Sequence, residues 1–515
     1  MRSVLVAMAL IQCATAQVEF QLFVTGPANA QGTVIPGLPA TIAAFFNNVP
    51  ISLPNIVTVV IGGRQASIVS APGGGGLTVV VPANIPPGVA QLSVAENGGE
   101  GVTNVNVVDF LVFTNSGGIG QALAQNVVAG VVETNNLTHP AHPGDTVTLY
   151  GVGIASATQF GVLLGGHPAT VTYGGPAPSL PGIDQINFQV PDDPAIPNGC
   201  FVAMQVVVNG SGSNVASISK AAAGATACTP PIDLTVAQMA QLDAGQSIPV
   251  VNFSIDGLAA EQSMSSGFLR NESFNVQTML ENEATLALTS QPLLADDVFY
   301  SCTVSGGAAI AHINESGGVD LGPKLTLTGP DAKAQILTTP SQFYYSLSLP
   351  TGPAVTSPAQ LPPPFFVSGV WQIAGPGSQL SPYVVEQYAT LPFSAQITTP
   401  PTLQITNYAS LQNIDRQNYL TVAWNPAGYG PGDVVIVTTG GAQVVSCRAH
   451  ATDGQLSIPP SVLGTITPAP NQYFQISASE RPDQVVRADI PLVAGGLVPG
   501  TFTYSFTESF PVVIQ

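Results

Sequence analysis

Four cysteines beyond residue 16 carry the clearest chemistry in the sequence: Cys200, Cys228, Cys302 and Cys447. An even number of cysteines in an exported chain favours disulfides, because an oxidising compartment lets them persist. Four cysteines allow three pairings, and the sequence alone does not choose among them. Cys200 and Cys228 fall within one predicted domain. Cys302 and Cys447 have to bridge two domains if they pair, so two buried free thiols are the preferred interpretation for them.

Histidine and carboxylate clusters offer the next candidates. His139 and His142 flank Pro140-Ala141, with Asp145 nearby. Zinc needs three or four ligands in a tetrahedral array, so this segment is better explained as an exposed linker. Glu281 and Glu283 would share one face of a strand, and glycoside hydrolysis uses two carboxylates. The chain has 29 acidic residues, so such pairs arise by chance, and a solvated face is the preferred interpretation.

Common catalytic and cofactor motifs are missing from the sequence. There is no nucleophile elbow, phosphate-binding loop, H-E-x-x-H or C-x-x-C, and Gly151-Val152-Gly153 does not continue into a dinucleotide fingerprint. We therefore predict no catalytic residue, no metal site and no cofactor.

Aromatic side chains offer a binding alternative. Trp371, Tyr383 and Tyr388 cluster in the third predicted domain, where their faces would stack on sugar rings. Buried aromatics are also typical of immunoglobulin-like cores, and this second interpretation is preferred for each residue.

Composition limits the class of partner. The formal net charge is −19, whereas a phosphate backbone requires clustered Lys and Arg, so nucleic acid is excluded as a partner. Residues 1–16 have the pattern of a secretory signal peptide, with Arg2, an apolar stretch, and Ala14-Thr15-Ala16 before Gln17. No later apolar run approaches the ~18 residues of a transmembrane helix. These features predict a chain that is secreted or held at the cell surface, with the periplasm as an alternative.

Short segments rich in Val, Ile, Thr and aromatics, bounded by Gly, Pro or Asn, dominate the chain and predict strands. The clearest are Ile56–Ile61, Leu77–Val81, Thr146–Tyr150, Ala203–Val208, Thr421–Trp424 and Asp433–Thr438. Thr235–Leu242 predicts one short helix with Thr235 as its N-cap. The predicted fold class is therefore all-β, built from tandem immunoglobulin-like sandwiches.

An internal repeat sets the domain organisation. Gly62-Gly63-Arg64-Gln65-Ala66 matches Gly165-Gly166-His167-Pro168-Ala169, with similar Pro-Gly turns before and after each copy. Its period of about 100 residues is the size of one immunoglobulin-like domain. We predict domains over residues 17–111, 112–229, 230–400 and 401–515, with Pro400-Pro401 opening the last.

Residues 112–229 resemble a known family. The similarity lies in Pro143–Gly151, Ala169–Pro178 and Gln185–Pro191. These segments resemble the Solibacter-type C-terminal domain of exported acidobacterial proteins, which is similar to the wider IPT/TIG group of immunoglobulin-like domains. The resemblance implies a disulfide between Cys200 and Cys228 and implies no known catalytic residues. His139 and His142 depart from the family pattern.

Together these features predict an exported, non-enzymatic protein with a structural, adhesive or surface-interaction role, whose partner is an extracellular polysaccharide or a surface protein. The first alternative is carbohydrate binding through Trp371, Tyr383 and Tyr388. The second is a polysaccharide hydrolase within residues 230–400.

Overall fold

The computed structural model describes most of the chain: residues 20–26, 32–46, 49–50, 56–70, 76–96, 99–115, 118, 120–154, 159–230, 232, 234–261, 268–281, 302–306, 319–338, 344–349, 355, 360–378, 389–439, 443–464, 466, 469–480 and 486–515. Strands dominate these residues, and the predicted all-β class is confirmed. Two α-helices occur in this part, Val236–Asp243 (α1) and Pro460–Leu463 (α2), with 3-10 turns at Tyr408–Leu411 and Ala451–Asp453. Neither α-helix is long and apolar enough to cross a membrane.

The first sandwich packs two five-stranded sheets around one core. Its strands β1–β10 are Phe20–Thr25, Thr33–Val34, Pro39–Phe46, Val49–Pro50, Ile56–Ile61, Arg64–Gln65, Ser67–Ser70, Gly76–Val80, Gly88–Glu96 and Gly99–Val107. One sheet has the order β1-β3-β8-β7, with β4 on β3, and the other has the order β2-β10-β9-β5-β6. Period-two alternation places Leu77 and Val79 of β8 in the core, opposite Val59 and Ile61 of β5.

The second sandwich curls one sheet around its own core. Its strands β11–β20 are Leu111–Val112, Ala124–Val128, Val131–Thr134, Thr146–Val152, Phe160–Leu164, His167–Pro176, Asp184–Gln189, Gly199–Val208, Ser211–Gly212 and Ala216–Lys220. The order is β13-β12-β14-β17-β16-β15-β18-β19, with β11 on β14 and β20 on β18. Asn209 and Gly210 both have positive φ, 49° and 86°, as a two-residue hairpin turn requires.

The C-terminal sandwich is larger. Its strands β21–β38 are Ile248–Glu261, Phe268–Glu281, Cys302–Gly306, Lys324–Thr328, Ala334–Thr338, Tyr344–Ser348, Gly369–Gly375, Phe393–Thr399, Asn413–Ile414, Leu420–Ala423, Asp433–Thr439, Gln443–His450, Gln455–Ile458, Ala469–Glu480, Val486–Arg487, Ile490–Pro491, Leu497–Val498 and Gly500–Ile514. A ten-stranded sheet has the order β23-β32-β31-β34-β38-β21-β22-β26, with β29 and β35 on β38. A four-stranded sheet, β25-β24-β27-β28, shares its core.

Strands that precede residue 400 in the sequence and strands that follow it form this ten-stranded sheet. β21 pairs in parallel with β38 from Val251–Gly500 to Ala260–Ser509, across about half of the chain. The boundary predicted at 400/401 therefore does not separate two sheets. Pro400-Pro401 follows directly on β28, so the prolines end that strand.

The same sheet brings Cys302 and Cys447 opposite each other, as register partners on β23 and β32. Cys447 is disulfide-bonded. Two free thiols are the interpretation that the sequence favours, because a bridge there has to join two domains. The sheet removes that requirement, since β23 and β32 are neighbours within it.

Helix α1 joins the second sandwich to the C-terminal sandwich. Thr235 caps the helix, and its hydroxyl accepts a hydrogen bond from the Gln238 N–H while the Gln238 side chain bonds back to the cap. Met239 and Leu242 are buried on the side that faces the disulfide between Cys200 and Cys228. Their apolar cluster contains side chains from both sandwiches: Leu137, Cys200, Phe201, Cys228, Ile232, Met239, Leu242, Ile248, Val250 and Met279. We call these residues, together with Asp243 and Thr138, the joint.

Asp243 closes the joint with hydrogen bonds. Its carboxylate accepts from the backbone N–H groups of Leu137 at 2.9 Å and Thr138 at 3.0 Å. It also accepts from the Thr138 hydroxyl at 2.6 Å. Hydrogen bonds to a charged group contribute more than neutral ones, about 1.5–3 kcal/mol each. The carboxylate therefore fixes the end of α1 against the second sandwich.

We expect Asp243→Ala to lower the free energy of unfolding by about 2–3 kcal/mol, because two backbone N–H groups lose their acceptor. Urea titration measures the loss. Gln241→Ala is the matched control, since Gln241 lies on the exposed side of the same helix. Equal stability of the Asp243→Ala variant and the wild type would show that the joint does not depend on this carboxylate.

Candidate functional site

A cleft that brings together Arg270, Glu272 and Glu508 lies on the face of the ten-stranded sheet that carries Phe506. Adjacent strands β22, β21 and β38 place Arg270, Ala259 and Glu508 in one row. The next row contains Glu272, Gly257 and Phe506. Side chains in register on neighbouring strands share a face of the sheet. The charged groups therefore lie on either side of the small residues Gly257 and Ala259 of β21, which form the floor of the cleft. The space of the cleft, open solvent included, is about 300 Å³, and Thr402, Leu403 and Thr507 complete its lining.

Small residues on the central strand create the floor. A Cβ atom built at Gly257 would lie 3.0 Å from the ring of Phe506, closer than ordinary contact. Ala259 occupies the next inward-facing position. A larger side chain at Ala259 would fill the space between Arg270 and Glu508, and one at Gly257 would meet the ring of Phe506.

Each charged side chain of the cleft has a backbone partner. Glu272 accepts hydrogen bonds from the backbone N–H groups of Phe365 at 2.9 Å and Phe366 at 3.1 Å. Arg270 donates to the carbonyl of Pro362. Glu508 bonds to the backbone at Ile405. The charged side chains of the cleft therefore bind two segments of backbone, residues 362–366 and 401–405, to the sheet.

Within the cleft, Glu508 is the group whose pKa is shifted toward neutrality. Burial raises its pKa to about 7, and the hydrogen bond at Ile405 and the Arg270 charge oppose that shift. A carboxyl that titrates near neutrality suits general acid–base catalysis, which needs a second group on the other side of a bound substrate. Glu272 stands across the floor, but both of its oxygens already accept backbone hydrogen bonds. The hydrogen bonds that the charged side chains of the cleft make therefore stabilise the fold.

No pattern in the sequence indicates this cleft. Glu272 and Glu508 lie on strands near the start and the end of the sequence of the C-terminal sandwich. Only the parallel pairing of β21 with β38 brings them into adjacent rows of the sheet. Alternation within β22 does indicate that Arg270 and Glu272 share a face. It does not indicate that this face is the inner one.

The predicted carboxylate pair is only partly described. Glu281 is 3% exposed at the end of β22, and burial raises its pKa to about 7. Glu283 lies outside the described residues. The sequence favours a solvated face for Glu281, but the structure buries it. The end of β22 is covered at the joint, where the nearby Met279 and Ile248, the strand partner of Glu281, are buried.

The predicted sugar-binding aromatics do not form a described platform. Trp371 is 2% exposed, packs against Phe365 and Phe366, and donates its indole N–H to the carbonyl of Val367 at 2.9 Å. A buried indole cannot stack on a sugar ring, so Trp371 is a core residue. Tyr383 and Tyr388 lie outside the described residues.

His139 and His142 contact different partners. His142 lies with Nδ1 3.3 Å from Asp145 and Nε2 2.8 Å from the carbonyl of Ala225. His139 Nδ1 lies 3.0 Å from the Asn136 side-chain oxygen. Within the described ranges, no group of three or more His, Cys, Asp or Glu side chains is placed to hold a metal ion.

These features define a multi-sandwich β protein in which Asp243 and the charged residues of the cleft bond to the protein's own backbone. No family model and no curated protein matches the sequence. Among solved structures, the chain is similar to SGBP-B of the Bacteroides ovatus mixed-linkage glucan utilization locus, solved with a mixed-linkage heptasaccharide. The identity is 12%, the match covers 61% of this chain and 65% of that one, and the TM-score is 0.19.

Two further structures are similar at the same level. Yersinia pseudotuberculosis InvD is 12% identical over 74% of this chain and 97% of its own, with a TM-score of 0.14. The immunoglobulin domains 1–4 of Sidekick-1 are 10% identical over 97% of this chain and all of theirs, with a TM-score of 0.12. At such TM-scores, these likenesses carry no argument about the function of this chain.

Proposed function

We propose that this protein is an exported, non-enzymatic structural or adhesive protein that works outside the cytoplasm as a row of β-sandwiches. The joint carries this proposal. An apolar cluster and the hydrogen bonds of Asp243 fix the second sandwich to α1 and the C-terminal sandwich, and the disulfide between Cys200 and Cys228 is buried in that cluster. A fixed connection between modules suits a protein that spans distance or transmits force, because it leaves little freedom between neighbours.

The charged cleft is consistent with this role. Arg270, Glu272 and Glu508 hold backbone segments, so their contacts contribute to stability rather than to recognition of a substrate. Trp371 is buried in the core, so it does not support the sugar-binding alternative.

Export is part of the proposal. Residues 1–16, which the structure does not describe, are proposed as a cleaved signal peptide on the evidence of their sequence. The disulfide between Cys200 and Cys228 supports an oxidising destination. We also propose that residues 112–229 belong to the Solibacter-type C-terminal domain family, whose resemblance implies this same disulfide.

Fractionation of the producing cells tests the location. We expect the protein in the surface or extracellular fraction, with its N-terminus near Gln17. Protease added to intact cells should remove the surface-held portion. Recovery from the cytosol with residues 1–16 attached would overturn the proposal.

An activity screen tests the non-enzymatic role. We expect no turnover of polysaccharide, ester or peptide substrates by the purified chain. Hydrolysis that is lost in Glu508→Gln, while the variant keeps its thermal unfolding midpoint, would show instead that the charged cleft is an active site.

A further inference from the structure

The hairpin formed by β12 and β13 projects an unusual edge from the second sandwich. β13, Val131–Thr134, ends the sheet and pairs with β12 on one side only within the described part of the chain. All four of its residues are exposed. Val131 is 58% exposed and Val132 is 54% exposed, and Val128 on β12 is 47% exposed. Exposed β-branched residues on both faces of an edge strand are unusual, because such an edge readily accepts another strand.

The turn determines which backbone groups face outward. Ala129 and Gly130 have φ of 49° and 84°, so a two-residue turn joins the strands and Val128 pairs with Val131. Residues that flank such a turn exchange both of their hydrogen bonds, and the next pair, Val127 and Val132, exchanges none. The bond from the Asn135 N–H to the Ala124 carbonyl fits this alternation. The N–H and carbonyl of Val132 are therefore directed away from β12.

Three devices that protect natural edge strands, namely lysine, proline and a bulge, are missing from β13. Natural edge strands carry lysine, proline or a bulge, each of which blocks pairing with another chain. The sequence Val-Val-Glu-Thr contains neither lysine nor proline, and its pairing with β12 runs without a register shift. Its one charge is Glu133.

From these observations we propose that β13 is a self-association edge, which pairs antiparallel with β13 of a second copy of this chain about a two-fold axis at Val132. The outward N–H and carbonyl of Val132 then bond to the same groups of Val132 in the second copy. In this register Glu133 stands opposite Val131 rather than opposite another glutamate. The edge is self-complementary, as the commonest closed symmetry of soluble oligomers requires.

The strength of this contact follows from its size and charge. A four-residue strand pair buries little surface, so the dimer is weak. Each copy carries a formal net charge of −19, and repulsion between copies opposes pairing. Salt screens that repulsion, so association should strengthen as salt rises. The inference deepens the proposed structural role and rests on it for its biological setting.

Sedimentation equilibrium of the purified exported chain tests the proposal, from roughly micromolar to millimolar concentration. We expect the weight-average mass to rise from one copy toward two, and to rise further in high salt. Val132→Pro should abolish the rise, because it removes the outward N–H and leaves the bonds to β12 in place. Val132→Lys should abolish it as well, because two lysines meet at the axis.

Val493→Lys is the matched control, since Val493 is 57% exposed and lies away from this edge. It should associate as the wild type does. A monomeric wild type at every concentration and salt would overturn the proposal, and so would Val132→Pro and Val132→Lys variants that still dimerise. Such a failure leaves the fractionation result untouched, whereas a cytosolic, uncleaved protein contradicts the proposed function whether or not the chain dimerises.

Discussion

Replacement of Cys228 by alanine should lower the free energy of unfolding by about 2–5 kcal/mol, the usual cost of losing a native disulfide from a small secreted domain. The bond closes a loop over a separation of 28 residues, and the open loop gives the unfolded chain more conformations. Both cysteines are buried in the joint beside Leu137 and Phe201, so the loss should extend to the contact with α1. Urea titration followed by intrinsic fluorescence measures it.

A mutant cycle separates the bond from the packing. If the disulfide causes the effect, Cys200→Ala, Cys228→Ala and the double variant should lose nearly the same stability, because each removes the one bond. Wild-type protein in a strong reductant should lose at least as much stability, because the disulfide of Cys447 is reduced as well. Losses that add in the double variant would show that the two side chains act by packing alone.

Glu281→Gln should stabilise the protein by roughly 3 kcal/mol at pH 8. Burial raises the pKa of Glu281 from its ordinary value of 4.5 to about 7. The folded chain therefore binds a proton more tightly than the unfolded chain does, and its stability falls as pH rises between these two values. A neutral glutamine avoids the cost of a buried negative charge above pH 7.

The pH dependence makes this prediction specific. At pH 5 the gain from Glu281→Gln should shrink below about 1 kcal/mol, because the folded carboxyl is already protonated there. Glu272→Gln is the contrasting control. Its carboxylate accepts two backbone N–H bonds, and an amide presents a donor to one of them, so this variant should lose stability. A gain for Glu281→Gln that is equal at both pH values would contradict the assigned titration.

Local features of the fold were predictable because local chemistry decides them. The helix predicted over Thr235–Leu242 is observed as Val236–Asp243 with Thr235 as its cap. The strand predicted at Ile56–Ile61 has those bounds, and the one predicted at Thr146–Tyr150 extends to Val152. Alternation, capping residues and turn glycines act over a few positions, so the sequence shows them directly.

Other features required the tertiary structure. The apolar run at Val127–Val132 has the length of one strand, yet Ala129 and Gly130 turn it into a hairpin with an exposed edge. Trp371 has the same sequence signal whether it is a sugar platform or a core residue. Only its contacts with Phe365 and Phe366 show that it belongs to the core.

The sequence alone determined the all-β class, the positions of many strands and the acidic, charge-poor character of the chain. Tertiary structure decided that residues on both sides of position 400 share one sheet, that Cys302 stands opposite Cys447, and that Arg270, Glu272 and Glu508 meet in one cleft. The physical reason is distance along the chain. Pairing of β21 with β38 joins segments about 250 residues apart, and the burial gained by the whole sheet, rather than any local pattern, selects that pairing.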